Sequence, residues 1–205
     1  MITIGITGGM GSGKTYVSNL LTVVFDIPVY NTDLEVKRIL NENAELKSKL
    51  TEKFGVEIYL KDGTWNRPAV VRLAQKEGPE VLDRIGEIID PYMMDDIRAF
   101  KSGSHPRNPD AAKVVGIESA ILAKSKPLMD EVTAFLLVTA PLETRIARIK
   151  KRDPYRTDDE IVLLLQNQKD KLPRVDYVIS NGDRDEADIK LAEIVEKIIE
   201  SNLNS

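Results

Sequence analysis

The sequence predicts an α/β fold with three layers: a five-stranded, mainly parallel sheet between helices, with one mostly helical insertion. Short apolar runs alternate with segments of helical periodicity, which is typical of a parallel sheet. Those short runs are largely apolar, as expected for strands covered on two faces. A glycine-rich turn joins the first run to the first helical segment. Together these three observations favour a nucleotide-binding class of α/β fold.

Composition limits the chemistry that this chain can perform. Its 205 residues suffice for one domain, or for a core with one inserted subdomain. With no cysteine and a single histidine, catalysis is expected to fall to carboxylates, Lys, Arg and metal-bound phosphate. A net charge of −4 argues against a general nucleic-acid binder. Without a long apolar run or a secretory leader, we expect no membrane association and a cytoplasmic location.

The first strand and helix flank a phosphate-binding motif. Alternating isoleucines over residues 2–6 predict a buried strand, and the apolar spacing from Val17 to Val24 predicts an amphipathic helix that begins near Gly13. Between them the chain reads Gly8-Gly9-Met10-Gly11-Ser12-Gly13-Lys14-Thr15. This is the phosphate-loop (P-loop) spacing, which places the backbone amides of a helix N-terminus around an anion.

Each part of this loop has a predicted role. We expect Lys14 to reach the β- and γ-phosphates of a nucleotide and the Thr15 hydroxyl to ligate Mg²⁺. A glycine-rich turn that serves packing alone is the alternative, but glycines, Lys, Thr, strand and helix all agree with phosphate binding. The predicted nucleotide-binding residues are Gly9, Gly11, Ser12, Gly13, Lys14, Thr15 and Tyr16.

A second strand, predicted at Ile27–Tyr30, leads into a helix that Asn31 or Thr32 can cap. Asp33 follows in the first helical turn. Because ligands bind at the carboxyl ends of parallel strands, Asp33 is a candidate for the phosphate-loop crevice. An acid favoured only by the helix dipole is the alternative interpretation.

From about residue 42 to 102 the periodicity is mostly helical, with apolar patches at residues 70–73 and 81–89. A third apolar patch is predicted from Pro91 to Phe100, in a further helix. The loop 102–110 contains His105, which we interpret as a solvated loop residue. Insertions in such folds usually bind the second substrate.

The rest of the chain completes the sheet. Strands are predicted at Val114–Ser119, at Phe135–Val138 and at Val175–Asn181, and a final helix at residues 189–199. Glu118 ends the first of these strands. It is predicted to hold a water on Mg²⁺ or to orient a substrate group, and a surface strand terminus is the alternative.

The densest basic segment is a helix predicted from Pro141 to Arg152. Arg148 and Arg152 are four residues apart and therefore share one helix face. We expect them to close over the transferred phosphate as a clamp. The alternative is that these basic residues only form a solvated helix face.

Taken together, these motifs resemble the dephospho-CoA kinase family, whose activity is the last step of coenzyme A synthesis. Residues 6–15 are similar to its T-G-G-x-G-S-G-K-[ST] opening, and residues 29–33 to its strand ending in Asp-x-Asp. Asn31 replaces the first acid of that pair, and Asp90 replaces a histidine of the family's I-x-H-P segment. The other matches are D-G-x-[LI]-N-R at 62–67, R-x-x-x-R at 148–152 and A-D-x-V-I-x-N at 175–181.

The resemblance implies transfer of the γ-phosphoryl group of ATP, with Mg²⁺, to the ribose 3′-hydroxyl of dephospho-CoA. Asp33 would then accept the proton of that hydroxyl, while Lys14, Arg148 and Arg152 would stabilise the transferring group. The implied substrate-binding residues are Asp33, Lys37, Arg67 and Glu118.

The predicted organisation is one P-loop kinase domain over residues 1–205, of the nucleoside/nucleotide-kinase-like type. Its nucleotide-binding core comprises residues 1–31, 108–140 and 166–205, the acceptor-binding insertion residues 32–107, and a small basic lid residues 141–165. Two alternatives stay open: another nucleoside or nucleotide kinase, and a nucleotide-switched binding protein without turnover. The predicted partners are small molecules, ATP and dephospho-CoA, with the chain either a monomer or a small homo-oligomer.

Overall fold

The computed structural model describes residues 1–166 and 174–203, so part of the predicted core segment 166–205 lies outside the described residues. The chain forms two compact units. Unit 1 comprises Met1–Tyr30 and Asp110–Ser205, and unit 2 comprises Asn31–Pro109. Unit 2 is therefore one continuous stretch of chain inserted into unit 1.

The sheet has five strands: β1 (Ile2–Thr7), β2 (Val29–Asn31), β3 (Val114–Glu118), β4 (Ala134–Thr139) and β5 (Tyr177–Ser180). Their order across the sheet is β2-β3-β1-β4-β5. Strand β1 pairs in parallel with both β3 and β4, and β4 pairs in parallel with β5. The predicted five-stranded parallel sheet is confirmed.

Helices surround these strands and build unit 2. They are α1 (Lys14–Val24), α2 (Thr32–Glu42), α3 (Ala44–Phe54), α4 (Arg67–Glu77), α5 (Glu80–Lys101), α6 (Lys126–Asp130), α7 (Leu142–Arg152), α8 (Asp158–Gln166) and α9 (Arg184–Leu203). Short 3₁₀ helices lie at Val56–Ile58 and Leu122–Lys124. Among the described residues, no helix is both long and apolar enough to span a membrane.

The core of unit 1 lies between the central strands and the helices α1 and α9. Ile4 and Ile6 of β1 are buried together with Leu21 of α1 and Leu191 of α9. Helix α9 begins earlier and ends later than the predicted segment 189–199. A satellite cluster joins Ile149 of α7 to the buried face of α8.

The core of unit 2 is built by its four helices. Leu46 and Leu50 of α3 are fully buried against Ile39 of α2, Val70 of α4 and Val81 of α5. Asn side chains fix where three of these helices begin, since each accepts a hydrogen bond from a backbone amide three residues on. The mostly helical character predicted for this stretch is confirmed.

The third predicted apolar patch, Pro91–Phe100, is largely buried, but it does not lie in a helix of its own, because α5 continues through Pro91 without a break. Proline removes one backbone hydrogen bond and crowds the preceding turn, at a cost of about 3 kcal/mol. Ile89 and Met93 on either side of Pro91 are both buried, as is Ile97 one turn later. Burying this one continuous apolar face offsets the local cost.

The interpretation of His105 as a solvated residue is wrong. Its side chain is only 3% exposed and lies with its ring edge-on to Phe100 at 5.4 Å between centroids. Its backbone forms an isolated antiparallel bridge with Asn108. The loop 102–110 thus folds back on α5 and encloses the imidazole.

Candidate nucleotide-binding site

The P-loop lies between β1 and α1 in unit 1, and its glycines are required by geometry. Gly13 is the N-cap of α1 and has a φ of 93° with a ψ of 30°, in the left-handed region. A Cβ at Gly13 would overlap the side-chain nitrogen of Asn181. At Gly11, a Cβ would lie 2.7 Å from the backbone oxygen of Arg145. The loop is therefore packed too closely for side chains at these points.

Lys14 is the first residue of α1, and its side chain folds back over the loop. Its Nζ donates to the carbonyl oxygen of Gly8 at 2.7 Å and contacts that of Gly9 at 3.5 Å. The ammonium group therefore lies within the curve of the loop, at the positive end of the α1 dipole. Both features suit a phosphate group.

Thr15 and Glu118 form the second feature of this site. The Thr15 hydroxyl donates to Oε1 of Glu118 at 3.1 Å. Glu118 is 6% exposed and ends β3 in register with Ile6 of β1. A hydroxyl and a carboxylate side by side are oxygen donors of the kind that Mg²⁺ prefers. The residues present thus fit a magnesium ion.

Side chains from α7 and from the end of β5 hold the outer side of the loop. Arg148 Nη1 lies 3.4 Å from the Gly11 carbonyl oxygen and 3.3 Å from that of Ser12. Asn181 Nδ2 donates to the same Ser12 oxygen at 3.0 Å. The conformation of the loop is thus fixed by elements that lie far away in sequence.

Arg145 and Asn181 were not among the predicted site residues. Arg145 Nε donates to the Met10 carbonyl oxygen at 2.8 Å, and burial lowers the pKa of its guanidinium below the ordinary arginine value. Arg145 precedes Arg148 by three residues on one helix face, which was the available signal. For Asn181, the signal was a polar residue directly after an apolar strand.

The structure does not bring Arg152 to the loop. Its side chain is 60% exposed and pairs with the neighbouring Asp153, with 2.9 Å between Nη2 and Oδ2. That hydrogen bond raises the pKa of Arg152 above its ordinary value. The predicted clamp therefore has one member on the loop, Arg148, and its pairing with Arg152 stays a prediction.

Tyr16 turns its ring away from the loop towards α9. Its hydroxyl donates to Asp188 Oδ1 at 2.7 Å, and the Arg184 guanidinium lies over the ring, 4.9 Å from its centroid. The hydrogen bond to Asp188, with burial, raises the pKa of Tyr16. The hydroxyl and the ring of Tyr16 are thus engaged by residues of α9, and its contact with a nucleotide stays a prediction.

The predicted acceptor-side residues of unit 2 lie on its surface. Asp33 is exposed in the first turn of α2, directly after Asn31, whose Oδ1 caps the helix by accepting from the Leu34 amide at 3.0 Å. Lys37 is exposed one turn further along α2, and Arg67 is exposed at the start of α4. All three are accessible to a solvent-borne ligand.

The chain is similar to known kinases over nearly its whole length. The family model described as Dephospho-CoA kinase matches residues 2–186. A dephospho-CoA kinase of Bacteroides fragilis is 32% identical over 183 residues, covering 88% of this chain and 84% of that protein. Among solved structures, TT1252 from Thermus thermophilus aligns with a TM-score of 0.75 at 26% identity, covering 96% of each chain. The dephospho-CoA kinase from Campylobacter jejuni has a TM-score of 0.62 at 14% identity over 98% of each chain, which supports the fold alone.

Proposed function

Because the chain belongs to the dephospho-CoA kinase family, we propose that it transfers the γ-phosphoryl group of ATP to the ribose 3′-hydroxyl of dephospho-CoA. Family membership makes the chain an ATP-dependent kinase of dephospho-CoA. The hydroxyl that is phosphorylated, the metal ion and the residue roles are proposals. These proposals rest on one observation: the side chain of Lys14 folds inside the glycine loop, and the hydroxyl of Thr15 lies beside Glu118.

On the donor side, the phosphates of ATP take the place of the loop carbonyls as partners of Lys14. The ammonium group and the α1 amides then lie against oxygens whose negative charge grows during transfer. Arg148 and Arg145, already anchored on loop carbonyls, hold the loop in shape and add positive charge. Little covalent chemistry is required of the protein, so positioning and charge stabilisation account for the catalysis.

Thr15 and Glu118 are the residues that would hold Mg²⁺. When bound, the ion neutralises charge on the β- and γ-phosphates and fixes their orientation. Thr15 would offer its hydroxyl oxygen directly, and the buried carboxylate of Glu118 would act through a water molecule. Their present hydrogen bond keeps both oxygens together before the ion arrives.

On the acceptor side, Asp33 would orient the ribose hydroxyl and accept its proton as the bond to phosphorus forms. The Asp33 carboxylate is exposed in the first turn of α2, so a bound substrate can reach it. Lys37 and Arg67 would bind the anionic groups of dephospho-CoA. Arg152 would exchange Asp153 for the transferred phosphate when the segment 141–165 closes.

The test is an ADP-release assay with ATP and Mg²⁺, in which dephospho-CoA is compared with adenosine, AMP and pantothenate. We expect dephospho-CoA to stimulate ADP release, and phosphorus NMR of the product to show a 3′-phosphomonoester. Stimulation by another acceptor would favour a different nucleotide kinase. ATP binding without acceptor-dependent turnover would favour a nucleotide-switched binding protein. The cytoplasm stays the location predicted from the sequence.

A further inference from the structure

Unit 2 contains an ionic cluster around a buried carboxylate that the proposed reaction does not use. We call it the Glu35 network, and its members are Glu35, Arg38, Asp96, His105 and Arg107. Glu35 is 1% exposed, which is rare for a carboxylate because burial without partners is costly. Burial of the Glu35 carboxylate therefore requires partners that offset the cost of removing its charge from water.

Both oxygens of Glu35 are engaged by arginines from different elements. Oε2 accepts from Arg38 Nε of the same helix at 2.6 Å, and Oε1 accepts from Arg107 Nε of the loop 102–110 at 2.8 Å. Arg38 in turn reaches α5, where its Nη2 lies 2.6 Å from each oxygen of Asp96. One carboxylate thus links α2 to the loop, and one guanidinium links α2 to α5.

His105 completes the network. Its Nδ1 accepts from the backbone amide of Arg107 at 3.1 Å, so the ring proton lies on Nε2. That nitrogen lies 3.4 Å from Asp96 Oδ2 and 3.7 Å from Glu35 Oε2. The two carboxylates and the two guanidiniums carry equal and opposite charge, which offsets the cost of burying Glu35.

The donors of Glu35, Asp96 and His105 lie within 4.8 Å of one another and have the composition of a metal site. Arg38 fills that position instead. Its Nη2 lies 2.6 Å from both Asp96 oxygens and 3.3 Å from His105 Nε2. A cation held by these donors would have to displace a guanidinium that already neutralises them. The contacts therefore favour an internal ionic network over a metal site.

The Glu35 network lies next to the proposed catalytic base, Asp33, in the sequence. Glu35 lies two residues after Asp33, in the same first turn of α2. The cap formed by Asn31 anchors the start of that turn, and the Glu35 network anchors its end. A fully satisfied buried network rigidifies the elements that it joins.

We infer that Glu35 is a positioning residue for phosphoryl transfer: through Arg38 and Arg107 it fixes the first turn of α2 and thereby the orientation of the Asp33 carboxylate. This inference rests on the proposed role of Asp33. A displacement of about 1 Å at a reacting group can lower the rate about a hundredfold. The network thus acts on turnover rather than on the binding of ATP.

The test compares Glu35→Gln with Glu42→Gln, because both carboxylates contact Arg38. Glu42 is a matched control, since it is 66% exposed and lies 3.6 Å from Arg38 Nη1 at the edge of the network. We expect Glu35→Gln to lower kcat at least about tenfold, while KM for ATP and for dephospho-CoA change less than about twofold. Glu42→Gln should leave kcat within about twofold of the parent value.

A double-mutant cycle with Asp33→Asn separates positioning from a general loss of structure. If Glu35 acts through Asp33, Glu35→Gln lowers kcat little further once Asp33 is replaced. Equal fold-losses in both backgrounds would overturn the inference. If Asp33→Asn itself leaves kcat unchanged, the proposed base fails; if it lowers kcat but Glu35→Gln does not, only the positioning role fails.

If Glu35→Gln does not fold, Arg107→Gln tests the ion pair between Glu35 and the exposed Arg107 instead. Arg107 is 59% exposed, so its loss leaves the core in place and Glu35 still paired with Arg38. We expect kcat to fall by about threefold, with no such fall in the Asp33→Asn background. An unchanged kcat in the folded Arg107→Gln protein would overturn the inference.

Discussion

Replacing Gly13 by alanine tests whether the P-loop depends on close packing with β5 as well as on glycine backbone freedom. Gly13 has a positive φ of 93°, and a Cβ at this position would overlap Asn181 Nδ2. The substitution is therefore expected to destabilise the loop for two reasons. One is backbone strain, and the other is displacement of the Asn181 side chain from its hydrogen bond to the Ser12 carbonyl oxygen.

The two contributions can be estimated separately. A non-glycine residue in the left-handed region costs roughly 1–2 kcal/mol, of which about 0.5 kcal/mol is returned by the stiffer unfolded chain. Loss of the Asn181 hydrogen bond adds about 1 kcal/mol, and more if a buried polar group stays unpaired. We expect Gly13→Ala to destabilise unit 1 by about 1.5–2.5 kcal/mol. In an Asn181→Ala background the overlap is absent, so only about 1 kcal/mol should remain.

The assay must separate the two units. Trp65, the single tryptophan, lies in unit 2, so its fluorescence during urea unfolding follows that unit. Amide hydrogen exchange of β1 and β4 follows unit 1. Gly63→Ala is the control for backbone strain, because Gly63 has a φ of 80° and its Cβ would meet only Lys47 Nζ at 3.4 Å.

Additive effects of Gly13→Ala and Asn181→Ala on the exchange of unit 1 would refute this reasoning. They would mean that the Asn181 side chain is not displaced by the added methyl group. Full coupling, with about 1 kcal/mol or more of interaction free energy, is the expected result.

Three further predictions concern the proposed metal ligand Thr15, the arginines of α7 and the half-buried acid Asp90. Thr15→Val, which keeps the side-chain shape but removes the hydroxyl, should lower turnover at least about a hundredfold and weaken its dependence on Mg²⁺ in a titration. Arg148→Met should weaken ATP binding about tenfold in calorimetry, because the loop loses a support, whereas Arg152→Met should leave ATP affinity nearly unchanged and lower kcat. Asp90→Asn should raise the free energy of unfolding at pH 7 by up to about 0.5 kcal/mol. Burial, then the charge of Glu87, raises the pKa of Asp90, so its ionised form opposes folding.

A different result would contradict each of these three predictions. An unchanged Mg²⁺ titration in Thr15→Val would remove Thr15 as a ligand, and equal losses of ATP affinity in both arginine variants would place Arg152 on the loop. For Asp90 the gain should disappear on acidification below the ordinary carboxyl value of 3.8, where the side chain is neutral in both folded and unfolded chains. Asp95→Asn, which removes an exposed ion pair with Arg98, should give no gain at pH 7.

Much of the fold could be predicted because its signals are local. Strand alternation, helical spacing and the fixed order of glycines, Lys14 and Thr15 each lie within about ten neighbouring residues. These signals were sufficient for the sheet and the P-loop. The continuity of α5 was not predicted, since the local rule for proline at Pro91 was overruled by packing on both sides.

The missed parts of the site depend on contacts between distant residues. Asn181 reaches Ser12 across 169 positions, and Arg145 reaches Met10 across 135 positions. For His105, a loop of Pro, Gly and polar residues indicated exposure, and only the fold places Arg38 and Asp96 around the ring. The spacing of residues along the sequence does not specify such long-range contacts.

The insertion of unit 2 between β2 and β3 has a consequence for the order of events during synthesis. Strand β1 is made first, yet both of its sheet neighbours, β3 and β4, follow only after residue 109. Unit 2 is continuous in sequence and can form its own core as soon as it has emerged. Since domains generally fold as units, from the N-terminus, while translation proceeds, the inserted unit is expected to fold before the unit that contains it. Until then β1 and its glycine loop have no sheet partners, so the apolar side chains of β1 are expected to stay exposed during this interval.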